Sequence, residues 1–321
     1  MQWPKVGIVL INFNGLDDTF ECVESLSKIT YPDYQVYVVD NGSKINPREK
    51  ILGAFPQFKI IENGANLGFT GGNNAGCRAA LGDGLDYVFL LNNDTAVDPD
   101  FLQPLVEAMM KDPGLGMVTP KIYFYGQEKV FWAYGGKVDR LTGRSPHIGV
   151  YKKDEGQYDH IHEVERITGC AMLVRREVFE RVGSMDDKFF IYCEETDWCL
   201  RTRRAGYRLA VIPKSIIWHK GHRDSGRVGR PFIGYLLTRN HLLYIRKNSN
   251  YFVAGGAFAI LWYFLSVSTH LGRFGLRWLA RRDPRDREYA EAVLSGAVNF
   301  WRGKWGPPPW LKGTTPPEPQ K

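Results

Sequence analysis

The sequence predicts an α/β fold in which a mainly parallel, Rossmann-like sheet is flanked by helices on both sides. Residues 6–120 alternate strand-like apolar runs with helix-like segments, the order that produces parallel sheets. The first run, Val6–Ile11, is almost continuously apolar, as expected for a strand covered on both faces. Polar clusters end several of these runs, and ligands of open α/β sheets bind beyond the carboxyl ends of the strands. These clusters are therefore the first candidates for a functional site.

The other elements follow from the same periodicities and from turn residues. The apolar runs that predict strands are Val6–Ile11, Val36–Val39, Lys59–Ile61, Tyr87–Leu91 and Thr168–Val174. The predicted helices are Thr19–Ser27, Asn73–Leu81, Pro99–Met110 with Asp98 as N-cap, and Arg175–Val182 closed by Gly183. Between Tyr123 and Arg166 the pattern loosens into loops or a hairpin, where acceptor specificity often resides.

Length and composition allow a large core. A chain of 321 residues, 44% hydrophobic and 24% charged, is ordinary for a globular protein of one or two domains. We predict an α/β domain over residues 1–245, a helical region over 246–306, and a disordered Pro-rich tail over 307–321. The five cysteines are odd in number and form no C-x-x-C pair, which favours reduced thiols in the cytosol over a zinc site or a disulfide framework.

A stretch of 25 uncharged residues lies between Lys247 and Arg273. A membrane span needs roughly 20 apolar residues, but glycine, serine and histidine dilute this stretch. A helix pair lying on, or partly inserted into, the membrane surface is favoured over a true span, and a buried helix of a soluble domain is the alternative. Six arginines follow and suit anionic headgroups, at about 1 kcal/mol each, which predicts a membrane surface rather than nucleic acid as partner. They are Arg273, Arg277, Arg281, Arg282, Arg285 and Arg287.

The cluster Asp40-Asn41-Gly42-Ser43 follows the second strand. A carboxylate at this position can accept hydrogen bonds from a nucleotide base or ribose. The same four residue types also form ordinary turns, so both interpretations remain open at Asp40.

A glycine-rich segment, Asn66–Gly76, joins a strand to a helix. Backbone amides at a helix N-terminus favour an anion. The glycines fall at 68, 71, 72 and 76, which is not the G-x-G-x-x-G pattern of dinucleotide-binding folds. Close packing of the helix against the sheet explains these glycines better than a phosphate site does.

The cluster Asn92-Asn93-Asp94 follows the apolar run at Tyr87–Leu91. Mg²⁺ uses one or two carboxylates plus substrate phosphates, and Asp94 repeats the strand-end position of Asp40. We therefore favour a metal ligand at Asp94 over the alternative, a turn before Pro99.

Residues 194–197 open a helix-like segment that ends at Ala205-Gly206. In a helix, Glu194, Asp197 and Arg201 share one face, whereas Glu195 points about 100° away. Three carboxylates this close repel one another, so at least one pKa should be raised, which suits a general base. An acidic first turn with an Asp197–Arg201 ion pair is the structural alternative, and both can hold.

The last cluster is Trp218-His219, at the end of the apolar run Ile216-Ile217. A neutral imidazole at His219 could complete a metal site, and a charged one could bind phosphate. A single histidine after a strand is more often structural. Two strand-end carboxylates, a later carboxylate cluster and a histidine are together the groups needed to hold a diphosphate through a divalent metal and to deprotonate a hydroxyl, which indicates an enzyme that uses an activated sugar.

Residues 5–250 resemble family 2 glycosyltransferases of the GT-A fold, especially bacterial rhamnosyltransferase-like enzymes. The resemblance rests on the ordered set of motifs: Val9–Gly15, Val38–Ser43, Asn66–Gly76, Leu91–Asp94, Thr168–Leu173, Phe189–Asp197 and Trp218-His219. It implies an inverting transfer from a nucleoside diphosphate sugar, with rhamnose as one candidate sugar. The acceptor would be a glycan or lipid-linked hydroxyl in cell-surface polysaccharide synthesis, on the cytoplasmic side of the membrane, and the cofactor Mg²⁺ or Mn²⁺.

The resemblance also implies roles for individual residues. Asp94 matches the last acid of the D-x-D metal motif, whose first acid is Asn92 here, and His219 would be a further ligand. Glu195 aligns with the catalytic base, with Glu194 and Asp197 as neighbouring catalytic candidates; the family's usual residue at 195 is Asp. The implied substrate-binding residues are Asn12, Asn14, Asp40, Asn41, Asn66, Gly68, Asn73, Asn92 and Trp198.

Two other functions compete with this interpretation. A sugar nucleotidylyltransferase would carry a basic Gly-rich loop after the first strand, where this chain has Asn12–Gly15. A non-catalytic sugar- or lipid-binding module has no need of Asp94 and Glu195 together. Fold likeness alone fixes no reaction, so the site residues must carry the claim.

Overall fold

The protein's structure, a computed structural model, describes residues 3–221, 229–281 and 283–311. The strands within these residues belong to one sheet: β1 (Val6–Asn12), β2 (Tyr34–Asp40), β3 (Lys59–Glu62), β4 (Tyr87–Asn92), β5 (Thr95–Val97), β6 (Leu115–Phe124), β7 (Phe131–Ala133), β8 (His162–Val164), β9 (Ala171–Arg175) and β10 (Arg208–His219).

The helices lie on both faces of the sheet and in a C-terminal layer. They are α1 (Leu16–Leu26), α2 (Arg48–Ala54), α3 (Gly68–Gly82), α4 (Leu102–Lys111), α5 (Arg176–Val182), α6 (Glu194–Arg204), α7 (Gly229–Lys247), α8 (Ala257–Arg281) and α9 (Pro284–Trp301). Short 3₁₀ helices stand at Asp187–Phe189, Ser249–Tyr251 and Val253–Gly256.

The strand order is β3-β2-β1-β4-β9-β6-β10-β5, with β7 and β8 beside β6 and β10. The first four strands of this order are parallel, but β9 is antiparallel to both β4 and β6. The start of β9 lies at the carboxyl end of β4, because the Asn92 amide donates to the Cys170 carbonyl. The chain therefore enters β9 in the opposite direction. The predicted α/β class is confirmed, and the sheet is mixed.

The apolar runs are explained by burial on both faces. In β1, Ile8 and Leu10 enter the cluster under α1 and α4, and Val9 enters the opposite cluster under α3, α5 and α6. Alternate residues point to opposite faces of a strand. A strand covered on both faces must therefore be apolar at every position.

The sequence prediction differs most from the structure at the first residues of the helices. The predicted start at Pro99 is wrong, because Asp98 forms a turn instead: its carboxylate accepts from the Asp100 amide, its carbonyl accepts from the Phe101 amide, and α4 begins at Leu102. The third helix begins at Gly68 rather than Asn73. Gly76 on that helix explains the glycine-rich sequence, since a Cβ there would lie 2.3 Å from Val9 in β1.

The C-terminal helices pack against the α/β core. The predicted boundary at residue 245 falls in the last turn of α7, which contacts α6 on one side and α9 on the other. The α7–α9 contact is close, since a Cβ at Gly296 would lie 2.5 Å from the Tyr235 carbonyl oxygen. Within the predicted tail, residues 307–311 pack on α7 through Trp310 and Leu311. Residues 312–321 lie outside the described part of the chain.

None of the helices in the described ranges is both long enough and apolar enough to cross a bilayer.

A buried histidine in this layer gives a pH-dependent stability. Nε2 of His241 on α7 is shut off from solvent without a hydrogen-bond partner, and its ring stacks on Tyr263 at 4.5 Å. Burial lowers the pKa of His241 from 6.5 to about 4. Below about pH 6.5 the unfolded chain binds a proton that the folded form resists, so stability falls between pH 6.5 and pH 4.

We expect the His241→Phe variant to avoid this loss. Between pH 7 and pH 5 its free energy of unfolding should fall by about 2 kcal/mol less than that of the wild type, since one pKa unit is worth about 1.4 kcal/mol. Urea unfolding at the two pH values measures the difference. Parallel pH–stability curves for the two proteins would contradict the role given to His241.

Candidate active site

Asp94 and His219 are brought together by the pairing of β5 with β10. His219, the last residue of β10, lies opposite Thr95 in the antiparallel register, so Asp94 is its immediate neighbour. His219 Nε2 lies 3.0 Å from Asp94 Oδ1 and 3.4 Å from the side-chain amide nitrogen of Asn92. The three polar residues at the ends of β4 and β10 thus form one cluster.

This cluster fits a divalent cation that substrate oxygens complete. Nε2 of His219 is the ring nitrogen beside Asp94, and the other ring nitrogen, Nδ1, is buried without a hydrogen-bond partner, although imidazole nitrogens are normally satisfied. The described ranges contain no group of three or more His, Cys, Asp or Glu placed to hold a metal ion. For a cation at this position, Asp94 and His219 are the side chains that could act as protein ligands, with a diphosphate and water supplying the others, as is usual for Mg²⁺.

Glu195 stands in the first turn of α6, with a side chain that is 14% exposed. Its Oε1 lies 3.1 Å from the Arg166 guanidinium and accepts a hydrogen bond from the Thr196 hydroxyl. Among the described residues, both of these contacts are made by Oε1, and Oε2 makes neither. One carboxylate oxygen is held in place and the other is available as a proton acceptor.

A row of side chains from the 123–166 segment connects the two halves of the site. Trp132 packs edge-on against His219, with ring centroids 4.3 Å apart, and its other neighbour is His147 at 5.8 Å. His147 Nε2 lies 2.9 Å from the Arg166 guanidinium, which in turn holds Glu195. Because arginine only donates, Nε2 of His147 accepts, and burial lowers the pKa of this histidine to about 3. His147 is therefore neutral at any working pH.

A second connection runs through the start of β9. The Cys170 carbonyl accepts a hydrogen bond from the Asn92 amide, and a Cβ on Gly169 would lie 3.7 Å from the Cβ of Glu195. Asn92 at the cation side and Glu195 at the base side therefore flank the same three-residue turn. The structure thus connects the predicted cation ligands and the predicted base through two sets of contacts.

The two other carboxylates of the cluster at 194–197 have different environments from Glu195. Burial raises the pKa of Glu194 well above its usual range, and the nearby charge of Glu195 raises it further. Oε2 of Glu194 is buried without a hydrogen-bond partner. The expected raised pKa thus belongs to Glu194.

Asp197 is a structural residue, so its candidacy as a catalytic group is corrected. It is fully buried and pairs with Arg201 at 2.8 Å and Lys247 at 3.2 Å, while Asn248 donates to its other oxygen at 2.8 Å. Both carboxylate oxygens are thus engaged by α6 and by the end of α7, away from the cleft. The sequence alternative, an Asp197–Arg201 pair, is what the structure contains.

The predicted substrate contact of Trp198 is also corrected. Its side chain is 0% exposed, its ring packs against Phe179, and its indole nitrogen donates to the Gly183 carbonyl. The residue lies on the core side of α6. The sequence does not show whether an aromatic residue next to an acidic cluster faces the core or the acidic side of the helix.

Asn12 is a support for Asp40 and has no free polar atom for a substrate. Its amide nitrogen donates to Asp40 Oδ1 and to the Ser43 hydroxyl, and its oxygen accepts from Thr19. Asp40 lies at the end of β2 beside it, 5% exposed. Asn14, by contrast, is exposed at the rim, where its side chain caps the Lys44 amide.

The asparagine side chains in and beside the glycine-rich segment mostly form hydrogen bonds within the protein. Asn41 is 2% exposed and its carboxamide bonds to Asn63, Asn66, Leu67 and Gly68. Asn73, also 2% exposed, donates to the Phe69 carbonyl. Gly68 is buried, and a side chain at this position would not fit, because a Cβ there would lie 2.4 Å from the Phe190 carbonyl oxygen. Asn41, Gly68 and Asn73 are thus buried and Asn66 is partly exposed, and the substrate contacts predicted for them stay predictions.

Sequence reasoning missed Trp132, His147 and Arg166. They lie in the segment where the pattern loosened, apart in sequence from both of the clusters that they connect. No periodicity or motif points to them. Only the place of Arg166, two residues before the Thr168-Gly169-Cys170 motif, could have drawn attention.

Comparison with known families decides the class of the protein. The sequence profile of Glycosyl transferase family 2 matches residues 7–183, more than half of the chain. The chain belongs to glycosyl transferase family 2. The matched range contains Asp40, Asn92 and Asp94, and it ends before Glu195 and before His219, which the structure places in contact with Asp94.

Relatives in the family share about a quarter of their residues with this chain. The low-salt glycan biosynthesis hexosyltransferase Agl10 of Haloferax volcanii is 24% identical over 239 residues, 74% of each chain. The N-acetylglucosaminyl-diphospho-decaprenol L-rhamnosyltransferase of Mycobacterium tuberculosis is 25% identical over 222 residues, 63% of this chain and 72% of the relative. These enzymes are glycosyltransferases, as the family is.

A solved structure shares the fold. The mannosyltransferase PcManGT of Pyrobaculum calidifontis, solved in complex with GDP-Man and Mn²⁺, aligns with a TM-score of 0.56 over 95% of this chain and 89% of its own, at 14% identity. The predicted GT-A fold is confirmed. Membership of family 2 favours sugar transfer over nucleotidyl transfer and over a non-catalytic binding module.

Proposed function

We propose that this family 2 glycosyltransferase moves a sugar from a nucleoside diphosphate sugar to a hydroxyl of a glycan or lipid-linked acceptor, with inversion, in cell-surface polysaccharide synthesis. One observation carries the proposal: the Asp94–His219 pair and the Glu195 carboxylate are joined by a row of contacts through Trp132, His147 and Arg166. A cation site beside a proton acceptor is the arrangement that displacement of a diphosphate by a hydroxyl requires.

Each residue then has a defined task. Asp94 and His219 would hold Mg²⁺ or Mn²⁺, which when bound offsets the charge of the leaving diphosphate. Glu195 takes the proton of the acceptor hydroxyl as that oxygen bonds to the anomeric carbon and the bond to the diphosphate breaks on the opposite face. Arg166 and Thr196 hold Oε1 of Glu195, so that Oε2 is aimed at the acceptor.

The donor and acceptor classes rest on weaker support. Asp40, at the end of the strand beside β1, would contact the base or ribose, and the exposed Asn14 and the partly exposed Asn66 lie near it. The mycobacterial relative is an L-rhamnosyltransferase named for N-acetylglucosaminyl-diphospho-decaprenol. We take rhamnose as the first donor sugar to test, with mannose and N-acetylhexosamines as the next.

Release of nucleoside diphosphate tests the function. The purified protein is incubated with a panel of nucleotide sugars, Mn²⁺ and a lipid-linked acceptor, and diphosphate release is followed with and without acceptor. Acceptor-dependent release from one donor supports the proposal. Release from none of the donors, with protein that is folded by circular dichroism, contradicts it.

We further propose that the enzyme works on the cytoplasmic surface of a membrane. One side of α8 packs on the protein through Ala259, Tyr263 and Phe264. The opposite side exposes four apolar residues at helical spacing, each 46–56% exposed: Phe258, Leu261, Trp262 and Leu265. On α9, Leu294, Val298 and Trp301 are also exposed. We call these seven residues the apolar face.

Charge favours an anionic bilayer as the occupant of the apolar face. Residues 246–311 contain ten Lys or Arg against four Asp or Glu, an excess of six in a chain whose net charge is +7. Polybasic segments beside an inserted apolar face strengthen binding to anionic lipid. Arg285 and Arg287 are exposed but pair with Asp283 and Glu291. The side chains of Arg273, Arg277 and Arg281, and all of Arg282, lie outside the described part of the chain. The unpaired state of all five cysteines is compatible with the cytosol.

Vesicle flotation measures this attachment. Full-length protein should float with vesicles of phosphatidylglycerol and phosphatidylethanolamine, and less with phosphatidylcholine alone. The double variant Leu261→Gln, Leu265→Gln should lose most vesicle binding, because each leucine that enters the bilayer contributes roughly 2–3 kcal/mol to the binding free energy. Leu141→Gln, at an exposed leucine outside α8 and α9, is the matched control. Wild-type protein that stays in the dense fraction at low salt, or that binds itself as a dimer through this face, would contradict a membrane partner.

A further inference from the structure

The loop before α6 has a backbone conformation that side chains rarely adopt. Phe190, Tyr192 and Cys193 have φ of 68°, 75° and 72°, although none of them is glycine. Phe190 is the centre of a γ-turn, since the Ile191 amide donates to the Phe189 carbonyl at 2.9 Å. Such a conformation persists only where surrounding contacts impose it, and it concentrates at functional sites. Glu195 follows two residues after Cys193.

Asn240 of α7 is the first contact that imposes this conformation. The residue is 0% exposed. Its side-chain nitrogen lies 2.7–2.9 Å from three carbonyl oxygens of the loop, those of Phe189, Ile191 and Tyr192. Three carbonyls converge on one nitrogen only when the loop is folded tightly around it.

Arg239, the preceding residue, fixes the orientation of Asn240. Its Nε donates to Asn240 Oδ1 at 2.9 Å, so the amide nitrogen must face the loop. The guanidinium also donates to the Lys188 and Phe189 carbonyls, and to the Gly306 carbonyl that follows α9. All of these acceptors are neutral oxygens, and the residue is 0% exposed. Burying an arginine costs free energy unless its N–H groups are hydrogen-bonded. Here those N–H groups bond mainly to main-chain carbonyls of the loop, which indicates that the protein needs the loop in this conformation.

The other side of the loop rests on α3. The Phe190 carbonyl accepts from the Thr70 amide at 3.0 Å, and Asn74 donates to the Met185 carbonyl and to Asp187. The loop is therefore enclosed between α3 and α7. Since α6 begins directly after it, the position of the loop determines where the first turn of α6, and so Glu195, points into the cleft.

We infer that Arg239 and Asn240 are positioning residues for the catalytic base. The pair holds the backbone of residues 188–192, including the positive-φ residues Phe190 and Tyr192, and thereby sets the start of α6. This role rests on the proposed function of Glu195. It also makes the C-terminal helices part of the catalytic machinery, because α7 supplies the pair and the segment after α9 supplies one of its acceptors.

Asn240→Ala tests the inference, with Asn299→Ala as the matched control. Asn299 on α9 is also a buried amide in the C-terminal layer, but among the described residues its side chain donates to the Tyr235 hydroxyl on α7 and not to the loop or α6. We expect Asn240→Ala to lower kcat by about 100-fold, as small misplacements of reacting groups do, with the calorimetric Kd for nucleoside diphosphate unchanged. Asn299→Ala should lower the melting temperature without changing kcat below it.

Amide hydrogen exchange gives a readout that does not depend on activity. Peptides covering 189–196 should exchange about tenfold faster in Asn240→Ala than in the wild type, and peptides of β1 and β4 should not. If Asn240→Ala does not fold, Asn240→Ser, which keeps one hydrogen-bond donor, is compared with the wild type in the same way. Unchanged exchange over 189–196, or a loss of kcat accompanied by an equal loss of nucleotide affinity, overturns the inference. If the wild type transfers no sugar at all, the proposed function fails, while the exchange experiment still decides whether the pair holds the loop.

Discussion

Replacing Glu195 by Gln should lower kcat by about 10²–10⁴-fold, the usual contribution of a general base. Glutamine keeps the shape of the side chain and an oxygen that can accept from Arg166 and Thr196, so the geometry of the first turn of α6 should survive. Only the ability to take up the acceptor proton is lost. Initial rates of diphosphate release with acceptor measure the change, and calorimetry with the donor should give an unchanged Kd.

Asp197→Asn is the control that tests the register of the base. Asp197 is fully buried and pairs with Arg201 and Lys247, so its replacement leaves two cations with a neutral partner. Breaking a buried pair from one side costs about 3–5 kcal/mol. We expect a lower melting temperature and nearly normal kcat in the folded fraction. If instead Asp197→Asn abolishes turnover in folded protein while Glu195→Gln is mild, the base has been assigned two residues too early.

The second large effect is expected at Asp94. Asp94→Ala removes the only carboxylate in contact with His219 among the described residues. Most activity should be lost while the melting temperature stays close to that of the wild type, because Asp94 follows the end of β4, is partly exposed and is not part of the hydrophobic core. In the wild type, a chelator should abolish transfer and added Mn²⁺ should restore it. The variant should need a far higher Mn²⁺ concentration for any turnover.

Asp86→Ala is the matched control for this experiment. Asp86 directly precedes β4, at the opposite end of the strand from Asp94, and its carboxylate accepts from the Lys5 amide. Loss of this carboxylate should leave the metal dependence of the enzyme unchanged. Full activity of Asp94→Ala, or full wild-type activity in excess chelator, would rule out the cation site.

Much of the sheet could be predicted from sequence because burial acts on every residue of these strands. Val6–Ile11 and Tyr87–Leu91 are apolar at every position, since helices cover both faces, and both are strands. The polar ends of β2, β4 and β10 could be predicted for the same reason, because the loss of the apolar pattern marks where the strand leaves the core.

Predictions from local sequence failed where contacts between distant segments determine the structure. Proline is favoured at the first position of a helix, which predicted a start at Pro99. The residues after Asp98 form a turn instead, and α4 begins at Leu102. The acidic residues at 194–197 are equivalent in composition, but the packing of α7 on α6 buries Asp197 and leaves Glu195 at the cleft. No single-sequence pattern reports which side of α6 another helix will cover.

The residues that connect the site were beyond sequence reasoning for a related reason. Arg166, Trp132 and His147 act through contacts between segments with no common periodicity, and Asn240 acts on main-chain carbonyls about 50 residues away in sequence. The C-terminal helices looked separable because their composition differs from that of the α/β core. Their contacts with α6 and the loop before it show that a truncation near Asn248 would also disturb the catalytic side of the molecule.

The stereochemistry of the product tests the central claim most directly. With the donor that shows acceptor-dependent release, the glycosylated acceptor is isolated and the anomeric configuration of the new linkage is read from its proton and carbon NMR couplings. A single base, Glu195, acting opposite the diphosphate held at Asp94 and His219 predicts inversion relative to the donor. Retention of the donor's configuration would contradict the account.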